Sequence, residues 1–152
     1  MLAALMSGLH VLALGVGLGA VFVRGRALRV VSPSDARAIR AVLLADNFWG
    51  VAAFLWVGSG LARLLGQLDK GIDFYLYNRF FWVKMGLFAL VLVLEITPMA
   101  AFIRWRVALK QGRPIDARRV PLLIRINDAE TVLVLLIPFV AAAMARGLWL
   151  TA

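Results

Sequence analysis

From Arg79 to Arg106 the chain reads R-F-F-W-V-K-M-G-L-F-A-L-V-L-V-L-E-I-T-P-M-A-A-F-I-R-W-R. This apolar run is long enough to cross a bilayer, a helical span needing roughly 20 such residues. It carries aromatic residues at one end, arginines at the other and two ionisable residues, Lys84 and Glu95, inside. At about 100° per residue, Lys84, Phe88, Val91, Glu95 and Phe102 fall on one helical face. A charge facing lipid is costly, so this face has to look into a protein interior and find its partners on other helices. Pro98, soon after Glu95, frees a backbone carbonyl about one turn earlier.

The remaining sequence supplies those helices. With 152 residues, 63% hydrophobic and 16% charged, the chain has too little charge for a soluble globular domain. Four apolar runs use it up: about Leu2–Val23, Pro33–Leu65, Arg79–Trp105 and Pro121–Leu148, the last with its core from Asn127. The expected fold is all-α, a single transmembrane domain built as a four-helix antiparallel bundle. The first run carries its basic residues after the apolar stretch, unlike a secretory signal, and reads as a retained span. Five Lys and Arg lie between Arg24 and Arg40 and seven between Arg104 and Arg125, against Arg63, Lys70, Arg79 and Arg146 at the other ends. Basic loops stay in the cytoplasm, which places both termini on the extracytoplasmic side of the membrane. A net charge of +9 is then a matter of orientation and anionic lipid, and nucleic acid is not an expected partner.

Local signals fill in the connections. Ser32-Pro33-Ser34-Asp35 reads as a helix start with Ser32 as cap. Asn127-Asp128-Ala129-Glu130 reads as a capping box. In the second run, Asp46, Gly50, Ala53, Val57 and Gly60 recur at helical spacing and are its interior-facing candidates. Tyr75, Tyr77, Phe80, Phe81 and Trp82 form an interfacial belt. Gly15 and Gly19 make a G-x-x-x-G on a different face from His10 and Gly17, suited to packing against a second copy or a larger membrane complex.

The absence of cysteine removes thiolate nucleophiles, disulfides, iron–sulfur ligation and covalent haem attachment. Neither a Walker motif nor a dinucleotide glycine fingerprint occurs. H-E-x-x-H and a Ser-His-Asp set are missing too, so soluble-type hydrolase chemistry is not expected. Two sites remain. His10, the one histidine, needs a partner at its depth in the membrane: a hydrogen-bonding group on another helix, or a metal that its neutral imidazole ligates. Lys84 snorkels towards Asp69 or Asp73, or meets an anionic ligand in the half of the bundle it shares with His10. Deeper towards the basic loops, Asp46, Glu95, Asp128 and Glu130 make either a proton relay or a structural network with Arg40, Arg104 and Arg125.

The segments L-H-V-L-A, A-D-N-F-W-G, G-I-D-F-Y-L-Y-N-R-F-F-W-V-K-M-G-L-F-A-L and L-I-P-F-V-A-A-A-M-A-R-G together resemble a bacterial membrane family known as domain of unknown function 2214. More remotely, a membrane histidine near the N-terminus followed by W-x-K at the end of a later helix is similar to the membrane protoporphyrinogen oxidase and the copper-resistance D-type proteins. The family resemblance implies a bacterial inner membrane. The resemblance to the membrane protoporphyrinogen oxidase implies a b-type haem held by His10, with Met85 or Met144 for the sixth position or that position open, and with Trp82-Val83-Lys84 as the W-x-K.

Overall fold

A computed structural model describes residues 1–66 and 71–149. Among these residues five helices follow one another: α1 (Leu2–Val30), α2 (Ala36–Leu65), a short α3 (Gly71–Leu76), α4 (Arg79–Lys110) and α5 (Val120–Ala145). The described residues include four helices long and apolar enough to cross a membrane, α1, α2, α4 and α5. They form an up-and-down bundle. The helix α1 packs tightly on α2 and also on α5, α5 packs on α4, and α2 and α4 meet only loosely, leaving a seam.

The ends of the helices depart from the sequence expectation for identifiable reasons. The first helix does not stop at Val23 but continues to Val30, because Arg24 finds buried partners and is not an interfacial charge. Asp35, not Ser32, caps α2, accepting hydrogen bonds from the amides of Arg37 and Ala38 at 2.9 and 3.1 Å. The fourth span begins at Val120 with Pro121 in its first turn, where a missing N–H costs nothing. Asn127 therefore lies inside α5, and the expected capping box is absent. Asn78 caps α4 through Phe80 N–H and is itself fully buried. Pro98 and Pro138 are accommodated within α4 and α5.

The core is layered along the bundle axis. At the basic-loop end Leu28, Ile39, Val42, Phe102, Trp105, Ile115 and Leu123 pack together. Ala20, Val21, Trp49, Val91 and Val134 form a middle layer, and Ala13, Trp56 and Ile137 a smaller one towards the chain termini. The buried face of α2 runs through Val42, Ala45, Trp49, Ala52, Trp56 and Ser59, slightly rotated from the expected stripe, so that Gly50 is exposed. On α4 the expected face holds, with Val91 and Phe102 buried and Lys84, Phe88 and Glu95 partly so. Gly15 and Gly19 are exposed, while Gly17 is buried against Trp49 and Ala52.

Candidate functional site

Two polar sites sit on this frame at different heights. The one nearer the basic loops centres on Arg24, whose side chain is fully buried. A guanidinium has five N–H donors, and all five are used. Nε donates to Asn127 Oδ1 at 2.8 Å. Nη1 donates to Asp46 Oδ1 at 3.1 Å and Glu95 Oε1 at 2.9 Å. Nη2 donates to Glu95 Oε2 at 3.0 Å and Glu130 Oε2 at 2.5 Å. The rings of Trp49 and Phe102 lie 5.8 and 5.7 Å from the guanidinium carbon, close enough for a cation–π contribution. One cation thus ties together all four spanning helices.

The acids are held from other directions as well. Trp49 Nε1 donates to Glu95 Oε2 at 3.0 Å, and Arg106 donates to Asp46 Oδ2 at 2.8 Å and to Asn47 Oδ1 at 2.7 Å. Asn127, whose amide also donates to the Val21 carbonyl at 3.1 Å, fixes the register of α5 against α1. The close approach there requires Gly25, since a Cβ at that position would lie 2.5 Å from Asn127 Nδ2.

Asp46, Glu95 and Glu130 were all candidates, and the structure brings them onto one cation. Asp128 is not among them: it pairs with Arg29 on the surface at 2.6 Å. The arginines expected to neutralise the acids, Arg40, Arg104 and Arg125, are exposed; Arg24 and Arg106 do so instead. Sequence reasoning missed Arg24 because it opens the run Arg24, Arg26, Arg29, which reads as an interfacial cluster. Gly25 beside it was the available signal, since a small residue at that point admits another helix.

The second site is a cavity of about 870 Å³ towards the chain termini, lined by all four spanning helices and by α3. His10, Trp56, Arg63, Lys84, Phe88 and Pro138 are among its walls, and the volume lies in the range of small-molecule sites. His10 Nδ1 is 2.9 Å from Ser59 Oγ. The Ser59 hydroxyl donates to the carbonyl of Leu55 at 2.6 Å, with that of Trp56 also near at 3.2 Å. With its proton so engaged, the hydroxyl oxygen accepts from His10, so Nδ1 carries the imidazole proton and Nε2 keeps its lone pair. Gly60 gives the ring its place, a Cβ there coming within 3.3 Å of His10 Cε1.

Lys84 and His10 do share this half of the bundle. The Lys84 ammonium lies 5.4 Å from the centre of the Phe81 ring, and among the described residues it has no carboxylate partner; Asp69, one of its two expected partners, lies outside the described residues. Trp82 does not line the cavity: it is exposed, and its Nε1 donates to the Leu76 carbonyl at 3.1 Å. Trp56, by contrast, is buried in the wall, and its indole N–H has no hydrogen-bond partner among the described residues. Neither Ser59 nor Trp56 was a candidate from sequence. A serine between two glycines in an apolar span was the available signal for the first.

A family model described as Predicted membrane protein (DUF2214) matches residues 2–148. The chain belongs to that family. No curated protein and no solved structure matches it. The match takes in every residue of both sites, so in this DUF2214 chain the charged centre and the cavity belong to the family's own domain. The membrane description agrees with the four long apolar helices.

Proposed function

We propose that this multi-pass membrane protein, set in a bacterial inner membrane with both termini outside, binds an amphipathic anionic cofactor in the cavity that His10 and Lys84 share. A b-type haem is the cofactor that its donors suit. The observation that carries this reading is the His10–Ser59 hydrogen bond, which leaves Nε2 as a neutral imidazole ligand on the wall of a cavity large enough for a cofactor. An oriented imidazole whose other nitrogen is hydrogen-bonded is the usual state of a metal-ligating histidine. The remaining lining fits the same group. Phe88, Leu14, Ile137 and Pro138 offer apolar contact, Met85 and Met144 offer thioethers, and Lys84 and Arg63 offer cations for carboxylates.

Haem, when bound, supplies a one-electron couple. The chain's part is to hold and tune it. Ser59 keeps the His10 tautomer, Lys84 and Arg63 meet the acidic groups, and the Trp56 N–H provides a donor inside the apolar wall. The apolar layer of Ala20, Val21, Trp49, Val91 and Val134 separates the site from the charged centre. The test is a reduced-minus-oxidised absorption spectrum of protein expressed with ample haem supply and purified in detergent, alongside His10→Ala. A Soret band present in the native chain and lost in the variant is expected; a featureless native spectrum overturns the haem assignment.

A second reading, an accessory or assembly subunit without catalysis, is favoured by one observation. Gly19 lies open in a shallow apolar groove of about 260 Å³ between α1 and α2, with Val16, Ala20, Val23, Ala45 and Phe48 around it. A second copy or a larger membrane complex would pack there. Chemical crosslinking in native membranes that traps only monomer counts against this reading.

A further inference from the structure

We propose that the charged centre is a proton-binding site and that Glu130 carries the proton at neutral pH. The argument rests on charge and on hydrogen-bond supply. The groups that face one another are Arg24 from α1, Asp46 from α2, Glu95 and Arg106 from α4, and Glu130 from α5, with Asn127 as the neutral neighbour. Three carboxylates against two guanidiniums leave one uncompensated negative charge inside a membrane bundle, a costly arrangement. A single proton removes it.

The geometry also selects the carrier. The three carboxylates bring six oxygens to the centre, and five of them accept at least one hydrogen bond. Asp46 accepts at both oxygens, from Arg24 and from Arg106. Glu95 accepts at both from Arg24, and at Oε2 from Trp49 also. Among the described residues Glu130 accepts only at Oε2, and its Oε1 is buried with no partner. Arg24 has no N–H left to offer it. An ionised carboxylate with a buried, unpaired oxygen is the least stable of the three possibilities, and protonation at Oε1 neutralises it without breaking any bond that Arg24 makes.

Access differs among the members in the same order. The Glu130 side chain is fully buried, whereas those of Asp46 and Glu95 are 13% and 19% exposed. Apolar layers close the centre above and below, so Glu95 and Asp46, at the loose α2–α4 seam, are its least enclosed acids. Glu95 Oε2 and Glu130 Oε2 share one Arg24 nitrogen, which places donor and acceptor carboxyls side by side. The site therefore holds its proton only as long as the surrounding charge count stands, and losing one negative charge from the ring releases it.

The experiment is infrared spectroscopy of the full-length protein in an alkyl maltoside, a detergent with no carbonyl of its own, read in the carbonyl stretch of protonated carboxylic acids. At pH 7 the native chain is expected to show one such band that shifts with ¹³C-labelled glutamate, and Glu130→Gln is expected to lose it while remaining folded. Asp46→Asn supplies the sharper outcome: Glu130 is intact, yet the band should disappear because the ring is already neutral. A native chain with no band, a band that survives in Glu130→Gln, or a band unchanged in Asp46→Asn would each overturn the proposal. None of these outcomes depends on whether haem is bound, because haem-free protein serves equally.

Discussion

The two polar sites treat ionisable groups in opposite ways. Around Arg24 every donor is committed, all four spanning helices contribute, and the surrounding layers are apolar and tight. Around His10 and Lys84 the walls are mostly hydrocarbon, the space is open, and Lys84 has an aromatic face where a carboxylate could have stood. A saturated cluster specifies how the helices meet, because few other registers would satisfy so many groups at once. An undersupplied one leaves binding capacity for something the chain does not contain. Stability should therefore reside near the basic loops and ligand chemistry near the termini.

Substitution at Arg24 is the strongest way to break this contrast. Arg24→Ala removes the buried cation that Asp46, Glu95 and Glu130 share and should cost about 3–5 kcal/mol, seen as a large drop in thermal unfolding temperature in detergent or as failure to accumulate in membranes. If Arg24→Ala unfolds within a degree of the native chain, the charged centre does not hold the bundle. Next comes Gly25→Ala, which forces a Cβ onto the Asn127 amide at 2.5 Å. Overpacking of this kind costs about 1–3 kcal/mol, whereas Gly19→Ala, facing open space, should stay within about 0.5 kcal/mol of the native chain. Equal effects at the two glycines would contradict the packing described here.

His10→Ala is expected to do the reverse of Arg24→Ala. It removes one partly exposed hydrogen bond and should lower stability by no more than about 1 kcal/mol, while abolishing cofactor binding measured by absorbance. A variant that fails to fold would move His10 from the binding class to the structural one.

The smallest expected effect lies outside both sites, in the loop before α5. Arg118 donates hydrogen bonds to Asp116 from its side chain and its amide, holding that carboxyl down from its usual 3.8 to about 2. Because the folded state favours the ionised form, the stabilisation is present above about pH 4 and fades as pH falls through about 2. Both groups are exposed, so Arg118→Gln should move the Asp116 titration part of the way back to its ordinary range by NMR, the amide of residue 118 still donating to the carboxylate, with no measurable change in unfolding.

How far the sequence carries can be judged from individual residues. The face of Lys84, Val91, Glu95 and Phe102 follows from helical periodicity in an apolar run, and the structure keeps it. Four spans and their antiparallel order likewise follow from run length and short connections. Asp46, Glu95 and Glu130 were visible as ionisable groups that need an interior. Their common partner was not. An arginine six residues from the end of α1 looks the same in sequence whether it reaches the headgroups or turns inwards, and only the approach of α5 at Gly25 decides which.

The same division holds across the molecule. Composition and periodicity alone determined that the chain lives in a membrane, how many times it crosses and which residues cannot face lipid, because transfer of apolar and charged side chains between water and hydrocarbon depends on residue type and spacing. The tertiary structure decided which acid meets which base, that Ser59 sets the His10 tautomer and that Glu130 is left with one oxygen unserved. Those outcomes depend on distances of a few ångströms between residues as far as 106 positions apart in the chain, and hydrogen bonding is sensitive to distances on that scale.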